Sequence, residues 1–202
     1  MTSKQGSAAT RNYTVAGKTL DDINKDMQKK GPPDPNDNSK RFSGSCLGNL
    51  NLDIKASDFN FATTDGSDPI EVTATLKGGT LTCNTTTTMP KLASDKDLSD
   101  DAKKEWKRFI SKVQVHEDGH ADSYLKLAKA ISDDLNTMSG KGTAKDERAA
   151  QAAAAKDLTG QIAKKLSGSN SLSQQIKDDA KAYDGKTKHG ATQGAVLDTS
   201  IT

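Results

Sequence analysis

His116-Glu117-Asp118-Gly119-His120 sets two histidines four residues apart with a glutamate beside the first. On a helix, residues four apart share one face, so two neutral imidazoles can reach a single ion. The glutamate then stands next to that ion, placed to take a proton from water activated by the metal. The pattern reads as a zinc-hydrolase signature, with Zn2+ held by His116 and His120 and Glu117 as general base. Gly119 adds a second clue. Glycine inside a helix costs about 1 kcal/mol relative to alanine, so its presence implies that a neighbouring group comes close to the helix at that point.

Catalytic zinc takes three protein ligands and keeps one position for water. Several nearby acids are excluded by helix geometry. Asp122 lies roughly 200° round the helix from His120, and Asp133 and Asp134 lie roughly 20 Å further along it. Lys126 occupies the position where a metzincin has its third histidine. Two candidates remain. Glu147 is a gluzincin-type choice but stands in the charge cluster Asp146-Glu147-Arg148, whereas His189 sits among glycines that let a loop bend back. His189 is the preferred third ligand. Tyr183 is a candidate hydrogen-bond donor to the oxyanion, and Asp184 a candidate hydrogen-bond partner that orients a histidine ligand without touching the metal.

These residues need a scaffold, and the hydrophobic pattern supplies its outline. Asn12-Tyr13-Thr14-Val15 reads as a short strand. Thr19 follows as an N-cap for a helix carrying Leu20, Ile23 and Met27, which Gly31-Pro32-Pro33 stops. Residues 34–40 read as a polar link. Leu50, Leu52 and Ile54, then Phe59 and Phe61, then Ile70, Val72, Ala74 and Leu76 alternate with polar residues, and Leu81 and Cys83 do so in a threonine-rich stretch. Together they predict one antiparallel sheet of three or four strands. From Ser99 onward the period is helical: Trp106, Phe109, Ile110 and Val113 lead to Tyr124, Leu127, Ile131 and Leu135, with His116 and His120 on the same stripe. After Ser139-Gly140-Lys141-Gly142 an alanine-rich stretch suits a solvated helix. The expected fold class is α+β: a small antiparallel sheet packed on a long helix bearing the H-E-x-x-H residues, plus further helices.

Composition narrows the function classes. The 202 residues are 32% hydrophobic and 4% aromatic, so the core is modest. A net charge of +2 from 29 basic and 27 acidic side chains gives no footprint for nucleic acid. No apolar run is long enough to span a membrane, and the first residues carry no signal-peptide core. Cys46 and Cys83 lie in predicted strands outside any C-x-x-C pair, and their placement favours a disulfide. Such a bond would stabilise by about 3–4 kcal/mol and implies an oxidising compartment. The expected localisation is periplasmic or secreted.

Four stretches carry a resemblance. Tyr13-Thr14-Val15-Ala16-Gly17-Lys18-Thr19-Leu20 with Gly31-Pro32, Cys83 with Met89-Pro90, and Trp106-Lys107-Arg108-Phe109 leading to His116-Glu117-Asp118-Gly119-His120 are three of them. The fourth is Tyr183-Asp184-Gly185-Lys186-Thr187-Lys188-His189-Gly190-Ala191-Thr192-Gln193-Gly194-Ala195. In combination the chain resembles a bacterial family of predicted secreted zinc-dependent proteases, a domain of unknown function in the zincin group. Leu50, Leu52 and Ile54 depart from that family's aromatic first strand. The resemblance implies a zincin-like fold, a metallopeptidase acting on a peptide or protein substrate, and a place for His189 at the site, as a ligand or as a polariser of substrate. It also implies a division into a flexible leader at 1–11 and a single zincin-like metallopeptidase domain at 12–202, with 139–170 a polar, alanine-rich helical segment. Two alternatives of other classes stand beside it: a non-catalytic zinc-binding or structural module closed by a fourth ligand, and a helical interaction protein.

Overall fold

Thr19 starts the first helix by a reciprocal cap. In this computed structural model, which describes residues 1–34 and 37–202, its hydroxyl accepts from the Asp22 amide at the head of α1 (Leu20–Lys30). The Asp22 carboxylate accepts from the Thr19 amide in return. Leu20, Ile23 and Met27 turn inward, and the Gly31 amide closes the end on the Met27 carbonyl at 2.8 Å.

Eight strands are formed among the described residues: β1 (Thr2–Val15), β2 (Pro33–Asp34), β3 (Asp37–Arg41), β4 (Ser45–Asp53), β5 (Phe59–Thr63), β6 (Ile70–Leu76), β7 (Thr80–Leu92) and β8 (Ser139–Ala144). They make three sheets, ordered β1-β7-β4, β2-β3 and β5-β6-β8, rather than the single sheet expected. Strand β1 starts at Thr2, so residues 2–11 of the stretch expected as a leader are strand. The stretch read as a polar link contains β2 and β3, paired antiparallel with Pro33 opposite Arg41, while residues 35–36 lie outside the described residues.

Helix α2 (Asp100–Leu135) runs 36 residues and carries the H-E-x-x-H residues on its inward face, as the periodicity predicts. Ser99 caps it, its Oγ accepting from the Ala102 amide. Helices α3 (Glu147–Lys165) and α4 (Leu172–Thr187) follow, and the fold is α+β with small sheets and four helices among the described residues.

The chain divides into two compact units. One comprises Met1–Gly6, Asn49–Asn84 and Tyr124–Asp178. In it β6 is the central strand, pairing antiparallel with β5 (Phe59 opposite Leu76) and with β8 (Ile70 opposite Ala144). Helix α3 packs on β6 and β8. A side chain at Gly140 would overlap backbone atoms of Leu158 and Ala154, and one at Gly142 those of Ala150 and Ala154. The alanine-rich helix is therefore not free in solvent: Ala150, Ala154, Leu158 and Ile162 are buried along one stripe, seated on a strand of glycines. Small residues on both partners let the backbones approach closely.

The other unit comprises Ser7–Gly48, Thr85–Ser123 and Asp179–Thr202. Its core gathers Val15, Leu20, Ile23 and Met27 with Met89, Leu98, Trp106, Phe109 and Val113. Both cysteines are buried as thiols, so the disulfide expected from their placement is not formed. Each fills apolar space as a small hydrophobe, and burial pushes the Cys83 thiol up, keeping it protonated. Among the described residues, no helix is long and apolar enough to cross a membrane.

Candidate metal centre

The site lies wholly within the second unit, where α2 faces the last turn of α4 and the loop beyond it. Spacing of four on α2 puts His116 and His120 side by side, ring centroids 4.8 Å apart, both buried. Asp184 comes to them from α4. Its Oδ1 lies 3.2 Å from His116 Nε2 and 3.1 Å from His120 Nε2. The three donor atoms fall within 4.8 Å of one another.

Both N···O sides of that triangle suit an ion of zinc's size. Bonds of about 2.0–2.2 Å from a tetrahedral zinc set its donors roughly 3.3 Å apart, close to both N···O separations here. Two imidazoles and one carboxylate also form a donor set typical of catalytic zinc. Burial alone would raise the Asp184 carboxyl, but hydrogen bonds from His116 and His120 and the charge of His189 outweigh it, holding the group well below the usual carboxylate range. For His116, burial pulls the imidazole down, and the contacts to Asp184, Glu117 and Gln193 reverse this, so its pKa lies above the ordinary value.

Glu117 is 2% exposed and its Oε2 has no hydrogen-bond partner among the described residues. Burial, reinforced by the Asp184 and Asp118 charges and opposed by His116, pushes its carboxyl up to about 7. Gly44, between β3 and β4, makes room for it. A side chain there would come within 2.6 Å of Glu117 Oε1 and 2.7 Å of Val113 Cγ1.

The closing stretch of the chain supplies the rest. Tyr183 lies against Gly119, where any side chain would overlap the tyrosine hydroxyl, so the close approach implied by that glycine is made by Tyr183. Its ring stacks on His116 at 5.3 Å and meets His120 edge-on at 4.6 Å. Gln193 bridges the two layers: Nε2 donates to the Tyr183 hydroxyl at 3.0 Å, and Oε1 accepts from His116 Nδ1 at 2.9 Å. A proton held on Nδ1 leaves the His116 Nε2 lone pair for a metal. Sequence reasoning missed Gln193. Its place in the closing motif, ten residues after Tyr183, was the available signal.

Thr187 Oγ1 donates to the Tyr183 carbonyl and Thr192 Oγ1 to the Thr187 carbonyl, tying off the end of α4. Gly190 and Gly194 then take left-handed φ of 80° and 83°. At Gly190 a side chain would also press within 3.1 Å of His116 Cγ. Beyond the loop, Arg108 donates to the Gly194 and Val196 carbonyls, and Glu105 accepts from the Asp198 amide.

His189, the preferred third ligand from sequence, lies with its Nδ1 3.6 Å from Asp184 Oδ1 and its side chain 52% exposed. Glu147, the other candidate, opens α3 in the first unit and bonds Gln151 and Thr63. Asp184, rather than His189 or Glu147, is the residue grouped with His116 and His120. Comparison with curated proteins and with solved structures gives no match. Residues 10–190, which include every member of the His116, His120, Asp184, Glu117 and Tyr183 group, match the family described as "Bacterial protein of unknown function (DUF922)", and the chain belongs to that family.

Proposed function

We propose that the chain is a zinc-dependent hydrolase, a zincin-like metallopeptidase, with His116, His120 and Asp184 holding the ion. The observation that carries the reading is Glu117. A buried carboxylate oxygen left without a partner costs about 1–3 kcal/mol, and a purely structural metal site has no use for it. Beside two convergent imidazoles, it has one. Zinc, when bound, supplies Lewis acidity that makes water a nucleophile near neutral pH and polarises a carbonyl oxygen.

The chain's own groups do the remaining work. Glu117 Oε2 takes a proton from the attacking water and passes it to the departing amine nitrogen as the carbon–nitrogen bond breaks. A carboxyl held near 7 by burial suits both halves of that transfer. Gln193 keeps the His116 proton on Nδ1. Tyr183, which the sequence suggested as an oxyanion donor, is assigned here to packing the two imidazoles and holding Gln193. The substrate class is a peptide or protein, and the expected setting is periplasmic or secreted.

Glu117→Gln tests this. The amide fills the same space but cannot accept the proton, so zinc content should stay at the wild-type level while hydrolysis of a fluorogenic peptide library falls by about 10²–10⁴-fold. Full activity in the variant would overturn the mechanism. A wild-type protein that binds zinc but cleaves no peptide would instead favour the non-catalytic zinc-binding module.

A further inference from the structure

Lys188, His189 and Gly190 are three consecutive left-handed residues, with φ of 50°, 51° and 80°. Glycine takes this conformation freely, but a residue with a Cβ pays about 1–2 kcal/mol for it. The conformation fixes where the His189 ring goes. It stacks on Phe42 with centroids 4.8 Å apart and planes 25° from parallel. In that position Nδ1 faces Asp184 Oδ1 at 3.6 Å, and the His189 amide donates to the Asp184 carbonyl at 3.0 Å. Both contacts of His189 at the site are therefore with Asp184.

We propose that His189 is a positioning residue that holds the Asp184 carboxylate in its ligating orientation, and is not itself a ligand. The inference rests on the reading of His116, His120 and Asp184 as a metal site. The Asp184 side chain is 20% exposed, so its carboxylate is not fully enclosed. His189 Nδ1 faces the same Oδ1 that His116 and His120 contact. The Phe42 stack fixes the plane of the ring, and the strained turn keeps the nitrogen aimed at the carboxylate. At 3.6 Å the contact is of ion-pair range and closes to a hydrogen bond with a small rotation. Partners of this kind raise metal affinity without entering the coordination shell. The His189 side chain is 52% exposed, so the core does not depend on it.

His189→Gly is the test, because glycine keeps the left-handed backbone while removing the ring. The melting temperature of the apoprotein should be unchanged or raised. Zinc affinity, measured by competition with a chromophoric chelator, should fall by about 10–100-fold. The absorption spectrum of the cobalt-loaded variant should keep the wild-type shape, since the ligand set is intact. Phe42→Leu, which leaves His189 in place but loosens it, should weaken zinc in the same direction by less. Zinc affinity in His189→Gly within about twofold of wild type would overturn the proposal, since an outer partner is worth more than that. So would a loss as large as that of His116→Ala with an altered cobalt spectrum, which would make His189 a ligand. If the wild-type chain bound no zinc, the reading of the site itself would fail, and this inference with it.

Discussion

Gly119 and Tyr183 show how one atom can decide a site. Alanine at 119 would favour the helix by about 1 kcal/mol, yet its methyl group would occupy the space of the Tyr183 hydroxyl. Gly119→Ala is therefore expected to destabilise by about 1–3 kcal/mol, the usual range for overpacking, and to weaken zinc binding by displacing the tyrosine and with it Gln193. Chemical denaturation and a zinc competition titration check the two halves. At this scale the sequence was informative where the chemistry is local. His116, Glu117, His120 and the need for Gly119 all follow from residues within one turn or two of a single helix. Asp184 was read as a partner of one histidine; that it meets both His116 and His120 did not follow, because a contact 64 residues from His120 is decided by how two helices meet, not by spacing. Among the glycines His189 had the freer backbone, which favoured it as third ligand; in the structure the Asp184 carboxylate, in the last turn of α4, is the group that meets both imidazoles.

Elements capped by their own side chains were equally legible. Thr19 and Asp22 announce α1, and Ser99 announces α2. Strand β8 was not. Its residues Ser139 to Ala144 alternate between exposed and buried, but the buried positions are Gly140 and Gly142, which give no apolar alternation. Glycine is needed there because α3 lies against the strand, and the alanines of α3 are the other half of the same close approach. Read separately, each looked weak; as a pair they make a tight helix–strand contact. Gly142→Val should push α3 off β8 and lower stability by about 1–3 kcal/mol or more, seen as a fall in the denaturant midpoint. A variant with undiminished stability would mean that this packing is loose.

Across the molecule, the H-E-x-x-H residues and the closing motif come from opposite ends of the chain's second half and meet within one unit. Arg108 and Glu105, two turns and more before His116, clasp the backbone of residues 194–198, so the same helix that bears the two histidines also anchors the segment that follows Gln193. The separation into two units was not foreseen, since β1, β4, β7 and α2 each contribute residues to both and no linker marks a boundary. A site assembled from three separated stretches of chain should couple metal binding to folding.

Zinc-dependent thermal unfolding measures that coupling directly. An ion at a hundred times its dissociation constant stabilises by about 2.7 kcal/mol, which for a chain of this size raises the melting temperature by roughly 5–10 °C. Wild-type protein prepared without a histidine tag should show this rise and bind one zinc per chain, and Asp184→Ala should lose most of it at the same zinc concentration. A wild-type melting temperature indifferent to zinc, or an Asp184→Ala variant that responds as fully as the wild type, would contradict a metal centre built from His116, His120 and Asp184.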